Sequence, residues 1–104
     1  MANYMFAYSG GRGVAADEAE RNAQYAKWGE WFAELGSVLV EGGAAMGTAK
    51  TVGPDGSVSD GGSRGLSGYS IVSADSLDLA IELAKGCPVL EIGGAVDVYE
   101  AIAM

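Results

Sequence analysis

Two charged residues in a glycine-rich segment are the strongest candidates for chemistry in this sequence. Asp60 precedes two glycines, and Arg64 follows four residues later. A carboxylate beside a cavity can act as a general base, because burial raises its pKa towards neutrality. A guanidinium can bind an anionic group through two parallel hydrogen bonds. The pair predicts proton abstraction or elimination on an aromatic or carbonyl substrate, with Asp60 as the base and Arg64 stabilising the anion.

Both residues also have an ordinary structural interpretation. Aspartate is common in turns, so the Asp60 side chain can instead accept hydrogen bonds from the backbone of Gly61 and Gly62. Arg64 can pair with Asp60 or with a helix carboxylate at the surface, which contributes only about 0–1 kcal/mol. The sequence leaves these interpretations open, and with them the question whether the protein is an enzyme.

Aromatic residues form the second set of candidates. Tyr4, Phe6 and Tyr8 alternate along a predicted strand and share one face, whereas Met5 and Ala7 share the other. Aromatic residues dominate cores and interfaces, so packing explains the pattern. The alternative is a pocket for a flat aromatic ligand. For that alternative we predict a cleft lined by four aromatic residues: Phe6, Tyr8, Trp28 and Tyr69.

Composition excludes several other classes of site. The 104 residues contain no histidine and one cysteine, which rules out His-activated nucleophiles, His-ligated metals, internal disulfides and paired-cysteine zinc motifs. A formal net charge of −8 disfavours nucleic acid and anionic membranes as partners. There is neither an apolar run near the roughly 18 residues of a membrane span nor a basic signal-peptide start. We therefore expect a cytoplasmic protein without metal or cofactor.

The elements that must position these residues follow from the hydrophobic patterning. The predicted order is a strand at 3–8, a helix at 16–35, a strand at 37–41, a hairpin of 49–52 with 57–59, a strand at 66–73, a helix from Asp75 to about residue 86, capped by Asp75 or Ser73, and a strand at 94–101. The apolar stripe of the second helix is Leu77, Ala80, Ile81 and Ala84. This order predicts one α+β domain over residues 1–104, a split β-α-β arrangement with two helices on one face of an antiparallel sheet.

Four segments carry a likeness to a known family: 35–39 (LGSVL), 58–61 (VSDG), 68–72 (GYSIV) and 76–98. The family is the YCII-related, or DGPF-domain, family. Segment 35–39 is similar to its helix end and second strand, and segment 58–61 to its Asp-Gly-Pro-Phe signature. Segment 68–72 is similar to its Gly-Gly-Tyr-Tyr strand, and segment 76–98 to its last helix and strand. The sequence departs from that family in two ways. Gly62 and Ser63 stand in place of Pro-Phe, and the histidine proposed as catalytic in some relatives is absent.

The resemblance implies a ferredoxin-like fold that assembles as a homodimeric α+β barrel. We expect two protomers to stack the aromatic faces of their sheets and to leave a hollow beside Asp60. The resemblance implies little about chemistry, because most of the family has no assigned reaction. The predicted function is small-molecule binding of the YCII-related type, with cofactor-independent catalysis as one form of it. The alternative, which the missing histidine and Pro-Phe favour, is a non-catalytic dimerisation or regulatory module.

Overall fold

The computed structural model describes residues 1–11, 15–60 and 65–102. The strands and α-helices of these residues are, in chain order, β1 (Ala2–Gly10), α1 (Glu18–Leu35), β2 (Leu39–Glu41), β3 (Lys50–Val52), β4 (Val58–Asp60), β5 (Leu66–Ala74), α2 (Leu77–Ala84) and β6 (Gly94–Ala101). Short 3-10 helices at Gly36–Val38 and Pro88–Ile92 precede β2 and β6. The element order agrees with the predicted one, although the sequence did not predict the 3-10 helices.

Four of the strands form one antiparallel sheet in the order β2-β5-β1-β6. The two long central strands pair along their length, with Phe6 opposite Ser70 on one side and opposite Val98 of β6 on the other. β3 and β4 form a separate two-stranded sheet. The fold is therefore α+β, with an antiparallel sheet and two helices, and it is compatible with a ferredoxin-like arrangement.

Helix α1 begins and ends where the sequence favours it. The Asp17 carboxylate accepts a hydrogen bond from the Glu20 backbone N–H at 3.0 Å, which satisfies one of the free amides of the first turn. Gly36, with φ of +55°, ends the helix, and its N–H donates to the Phe32 carbonyl. Trp31 and Leu35 are the buried residues of the helix and direct it onto the sheet.

Helix α2 differs from the prediction in its cap and in its buried side. Neither Asp75 nor Ser73 caps it, because Ser76 has the extended backbone of an N-cap residue and accepts from the Leu79 N–H at 3.2 Å. Only the two alanines of the predicted stripe are buried, whereas Leu77 and Ile81 are 46% and 38% exposed. The alanines let the helix backbone approach the sheet closely, and the larger side chains lie at its flanks.

The aromatic face of β1 lies under the helices. Tyr4, Phe6 and Tyr8 are all buried, and the Phe6 ring stacks on Trp31 of α1 with centroids 6.1 Å apart. Ala80 and Ala84 of α2 belong to the same buried cluster, so both helices cover this one face. The expectation that two protomers stack their aromatic faces is therefore wrong, since the protein's own helices already bury that face.

Candidate functional site

A cleft of about 800 Å³ opens between α1 and the neighbouring ends of β1 and β5. Segment 42–45, which follows β2, and the 3-10 helix Pro88–Ile92 complete its walls. This volume lies within the range of roughly 300–1,000 Å³ that is typical of small-molecule sites. The cleft is therefore large enough to hold an organic ligand of moderate size.

Three aromatic residues, which we call the aromatic wall, line the cleft on one side: Tyr8, Trp28 and Phe32. Trp28 and Phe32 lie one turn apart on the same face of α1. The Trp28 ring meets Tyr8 edge to face at a centroid distance of 5.0 Å and meets Phe32 at 5.9 Å. Tyr8 is buried, whereas Trp28 and Phe32 remain half-buried. Rings fixed in this way offer an apolar surface to a flat ligand.

The hydroxyl group of Tyr8 has an unusual environment. Its Oη is buried and has no hydrogen-bond partner among the described residues. The nearby Ser70 hydroxyl donates to the Gly42 carbonyl at 2.7 Å. Burial is the largest cause that raises the pKa of Tyr8; the Ser70 hydroxyl opposes part of the rise, and Cys87 adds slightly to it. Tyr8 therefore stays protonated at neutral pH and keeps a hydrogen to donate.

Charged side chains lie at the rim of the cleft rather than inside it. Lys27 of α1 pairs with Glu91 of the 3-10 helix at 2.9 Å, and both side chains are more than half exposed. Glu20 is also exposed and lines the same rim. An exposed ion pair of this kind contributes little to stability, about 0–1 kcal/mol. Two carboxylates and one ammonium group give the described rim a slight negative charge, which disfavours a carboxylate ligand.

The structure brings together only part of the predicted ligand-binding set. Tyr8 and Trp28 line the cleft as predicted, but Phe6 is fully buried in the middle of β1, beneath Trp31. Tyr69 also lines the cleft, yet the strand register places it opposite Ala7, on the other sheet face from Tyr8. There its hydroxyl donates to Glu41 at 3.0 Å, and this bond together with the Glu41 charge raises the pKa of Tyr69.

The predicted catalytic pair is not found in the cleft. Asp60 is the last residue of β4, and its carboxylate pairs with Lys50 of β3 at 2.6 Å while the side chain stays 96% exposed. The separate two-stranded sheet holds it in solvent, so the expected arrangement of a base beside a cavity does not occur around this residue. Arg64, with Gly61 and Gly62 of the alternative turn interpretation, lies outside the described residues.

Some residues of the cleft were missed by sequence reasoning. Phe32 carried a signal, because it lies four residues after Trp28 on one helix face. Gly43 follows the predicted strand at 37–41, and no pattern in the sequence shows that it packs against β5: a Cβ there would lie 1.8 Å from the Tyr69 carbonyl oxygen, and φ is +80°. Ser70 gave no signal, since nothing in the sequence shows that segment 42–45 crosses over it.

Cys87, the single cysteine of the sequence, is buried next to this site. It is 2% exposed, and burial raises the pKa of its thiol to about 11. A thiol in this environment is neither nucleophilic nor a metal ligand at neutral pH. Across the described parts of the chain, no three side chains of Cys, Asp or Glu come together as metal ligands, and no helix has the length and apolarity of a membrane span.

Comparison with known proteins adds no family to this description. No model of a known protein family matches the chain, and no curated protein matches it either. The function therefore has to be argued from the cleft itself.

Proposed function

We propose that the protein binds a small, flat and largely apolar molecule in the cleft. The observation that carries the proposal is the aromatic wall, which leaves Trp28 and Phe32 half-exposed towards a space of about 800 Å³. Covering such surface stabilises a complex by about 25 cal/mol for each Å² of apolar area removed from water. Edge-to-face contacts with Tyr8 and Phe32 fix the Trp28 ring, so little freedom is lost when a ligand packs on it.

The cleft supports binding better than it supports proton abstraction. Its described carboxylates, Glu20 and Glu91, are exposed at the rim, and Glu91 already pairs with Lys27. Tyr8 is the buried titratable group of the lining, and its raised pKa keeps it protonated. These residues supply a hydrogen-bond donor and an apolar surface, but no buried base. Catalysis on an aromatic or carbonyl substrate therefore does not enter the proposal.

A ligand screen tests the binding function. Neutral aromatic compounds are added to the protein, and specific binding should raise the melting temperature, because a ligand of the folded state stabilises it by RT ln(1 + [L]/Kd). Trp28→Leu should abolish the shift for every hit. Val58→Leu is the control, since Val58 is 65% exposed on β4, outside the lining of the cleft, and the substitution should leave binding intact. The proposal fails if no compound binds, or if Trp28→Leu binds as well as the native protein.

We also propose that the protein is a homodimer of ferredoxin-like protomers, forming the α+β barrel that the likeness to the YCII-related family implies. The sheet face turned away from the helices supports this. Ile71, Met5 and Tyr99 lie side by side across its three long strands, and Tyr99 is 51% exposed. A sheet face with such residues is stabilised when a second layer covers it.

This apolar row favours a second candidate function, a non-catalytic dimerisation or regulatory module. Sedimentation of the native protein should give a dimer, and Met5→Lys should shift it to monomers. Thr51→Lys adds the same charge at an exposed residue of β3 and should leave the dimer intact. A native monomer would contradict the dimer proposal. A dimer that binds no aromatic compound would favour the module over the binding protein.

A further inference from the structure

The unpaired hydroxyl of Tyr8 distinguishes the cleft from a merely apolar groove. The ring is held in place by Trp28 and Trp31, with centroids at 5.0 and 6.5 Å, both edge to face. The residue is 4% exposed, so its Oη can turn neither to bulk water nor to another part of the protein without moving these rings. An O–H group that is withdrawn from water and lacks an acceptor is unfavourable, and native proteins rarely leave one unsatisfied.

The neighbours of the hydroxyl do not satisfy it. Ser70 lies on the same sheet face and is itself fully buried, but Tyr8 Oη makes no hydrogen bond with it. The Ser70 hydroxyl donates to the Gly42 carbonyl. That bond fixes segment 42–45 next to Tyr8 at the edge of the cleft. Because Tyr8 lines the cleft, an acceptor on a ligand bound there can complete the hydrogen bond.

We infer that the ligand is a neutral aromatic compound with an acceptor oxygen, such as a ketone carbonyl, which accepts a hydrogen bond from Tyr8 Oη while its ring packs on Trp28. This inference rests on the proposed binding function and names its ligand class. A neutral ligand is favoured over an acid, because the described rim carries two carboxylates against one ammonium group and the whole chain carries a net charge of −8.

Matched ligands test the inference on the intact protein by titration calorimetry. The probes are an acetylnaphthalene, the isopropenylnaphthalene of the same substitution pattern, which has nearly the same shape but no acceptor, and the corresponding naphthoate. The ketone should bind about tenfold more tightly than the hydrocarbon, as expected for one additional buried hydrogen bond. The naphthoate should bind more weakly than the ketone.

Two single-atom variants separate the hydroxyl from the rest of the site. Tyr8→Phe keeps the ring and should bring the ketone down to the affinity of the hydrocarbon, leaving the hydrocarbon unchanged. Its melting temperature should not fall, since the hydroxyl that is lost makes no hydrogen bond in the free protein. Tyr4→Phe is the control, because Tyr4 is buried on the same face of β1 but does not line the cleft, and it should retain the preference for the ketone.

The outcomes separate this inference from the proposed function. If the ketone and the hydrocarbon bind equally to the native protein, or if Tyr8→Phe retains the preference, the inference is wrong while binding in the cleft stands. Tighter binding of the naphthoate would overturn the choice of a neutral ligand. If none of the three probes binds, both the inference and the proposed function fail.

Discussion

The aromatic wall of the cleft and the hairpin formed by β3 and β4 stabilise their residues in different ways. The wall joins side chains from a nine-residue strand and an 18-residue helix that pack on each other. The hairpin consists of two three-residue strands whose residues are all exposed. Backbone pairing of the two strands and a turn at 53–56 hold it together, and the exposed ion pair of Lys50 with Asp60 adds little. A two-stranded sheet without further packing is only marginally stable in water.

This difference determines which region has an environment suited to recognition. In the wall, burial removes water from the Tyr8 hydroxyl, raises its pKa and leaves it without a partner. In the hairpin, the Asp60 carboxylate is 96% exposed and lies against an ammonium group. A polar group confers specificity when it is shielded from water, because water then cannot take the place of the ligand. The Tyr8 hydroxyl meets this condition and the Asp60 carboxylate does not.

The largest expected contrast is in stability. Trp31→Ala removes a ring that contacts Phe6, Tyr8 and Trp28, and it should lower the free energy of unfolding by about 3–5 kcal/mol. Val52→Ala in the hairpin truncates a side chain that is 68% exposed and should change it by less than about 0.5 kcal/mol. Denaturant unfolding measures both. Equal losses would show that Trp31, the residue on which the aromatic wall packs, is not part of the core.

Two glycines with similar backbone angles provide a second contrast. Gly43 beside the cleft and Gly56 in the hairpin have φ of +80° and +84°. Alanine at either position is strained by about 1–2 kcal/mol. A Cβ at Gly43 would also lie 1.8 Å from the Tyr69 carbonyl oxygen, whereas nothing lies within 4 Å at Gly56. Gly43→Ala should therefore be the more destabilising by about 1–3 kcal/mol in the same unfolding experiment, and the reverse order would contradict the close packing of segment 42–45.

The two regions should also respond to opposite extremes of pH. Folding raises the pKa of Cys87 from an ordinary 9.0 to about 11, so the stability linked to the neutral thiol is complete below pH 9 and is lost as the pH rises through about 11. Tyr8 adds a further loss above pH 10, its ordinary pKa. The melting temperature of the native protein should therefore fall as the pH rises from 9 to 11. Above pH 10 the fall should be less steep in Tyr8→Phe than in the native protein. A melting temperature that stays constant up to pH 11 would contradict the burial of both groups.

In the hairpin turn the sign is opposite. Hydrogen bonds from the Ser57 side chain and backbone lower the pKa of Asp55 below its ordinary 3.8. The stability linked to this carboxylate is present above pH 3.8 and is lost as the pH falls through the lowered pKa. Because Asp55 is fully exposed, Asp55→Asn should change the melting temperature at acid pH only slightly, and a large change there would show that the turn is packed rather than solvated.

The smallest expected effect concerns the residue that the sequence singled out for catalysis. Asp60→Asn removes the charge of an exposed ion pair with Lys50, and it should leave both the melting temperature and ligand affinity unchanged within error. Thermal unfolding and calorimetry measure the two quantities. A marked loss of affinity with an unchanged melting temperature would place Asp60 at the binding site after all.

These contrasts show which features can be predicted from the sequence. The alternation of Tyr4, Phe6 and Tyr8 identifies a strand and its apolar face. The four-residue spacing of Trp28 and Phe32 does the same for a helix. The hairpin could also be predicted, because Pro54 and Gly56 favour a turn. Local patterns do not determine how the elements pack, so neither the covering of the aromatic face by α1 nor the distance of Asp60 from the cleft followed from them.

Segment 42–45 illustrates the part that sequence reasoning could not reach. Its contacts join residues about 28 positions apart, such as the bond from the Ser70 hydroxyl to the Gly42 carbonyl. A long-range pair of this kind has no periodicity along the chain. The same bond orients the Ser70 hydroxyl, which lies near the unpaired hydroxyl of Tyr8.

Chemical-shift mapping by NMR tests the central claim most directly, because it observes both regions in one experiment. Nitrogen-labelled protein is titrated with the acetylnaphthalene, and backbone and indole signals are followed. We expect the Trp28 indole N–H and the amides of Tyr8, Gly43 and Ser70 to shift, while those of Lys50–Val52 and Val58–Asp60 stay in place. Shifts centred on the two hairpin strands, or no shifts at all, would contradict the assignment of the cleft as the binding site.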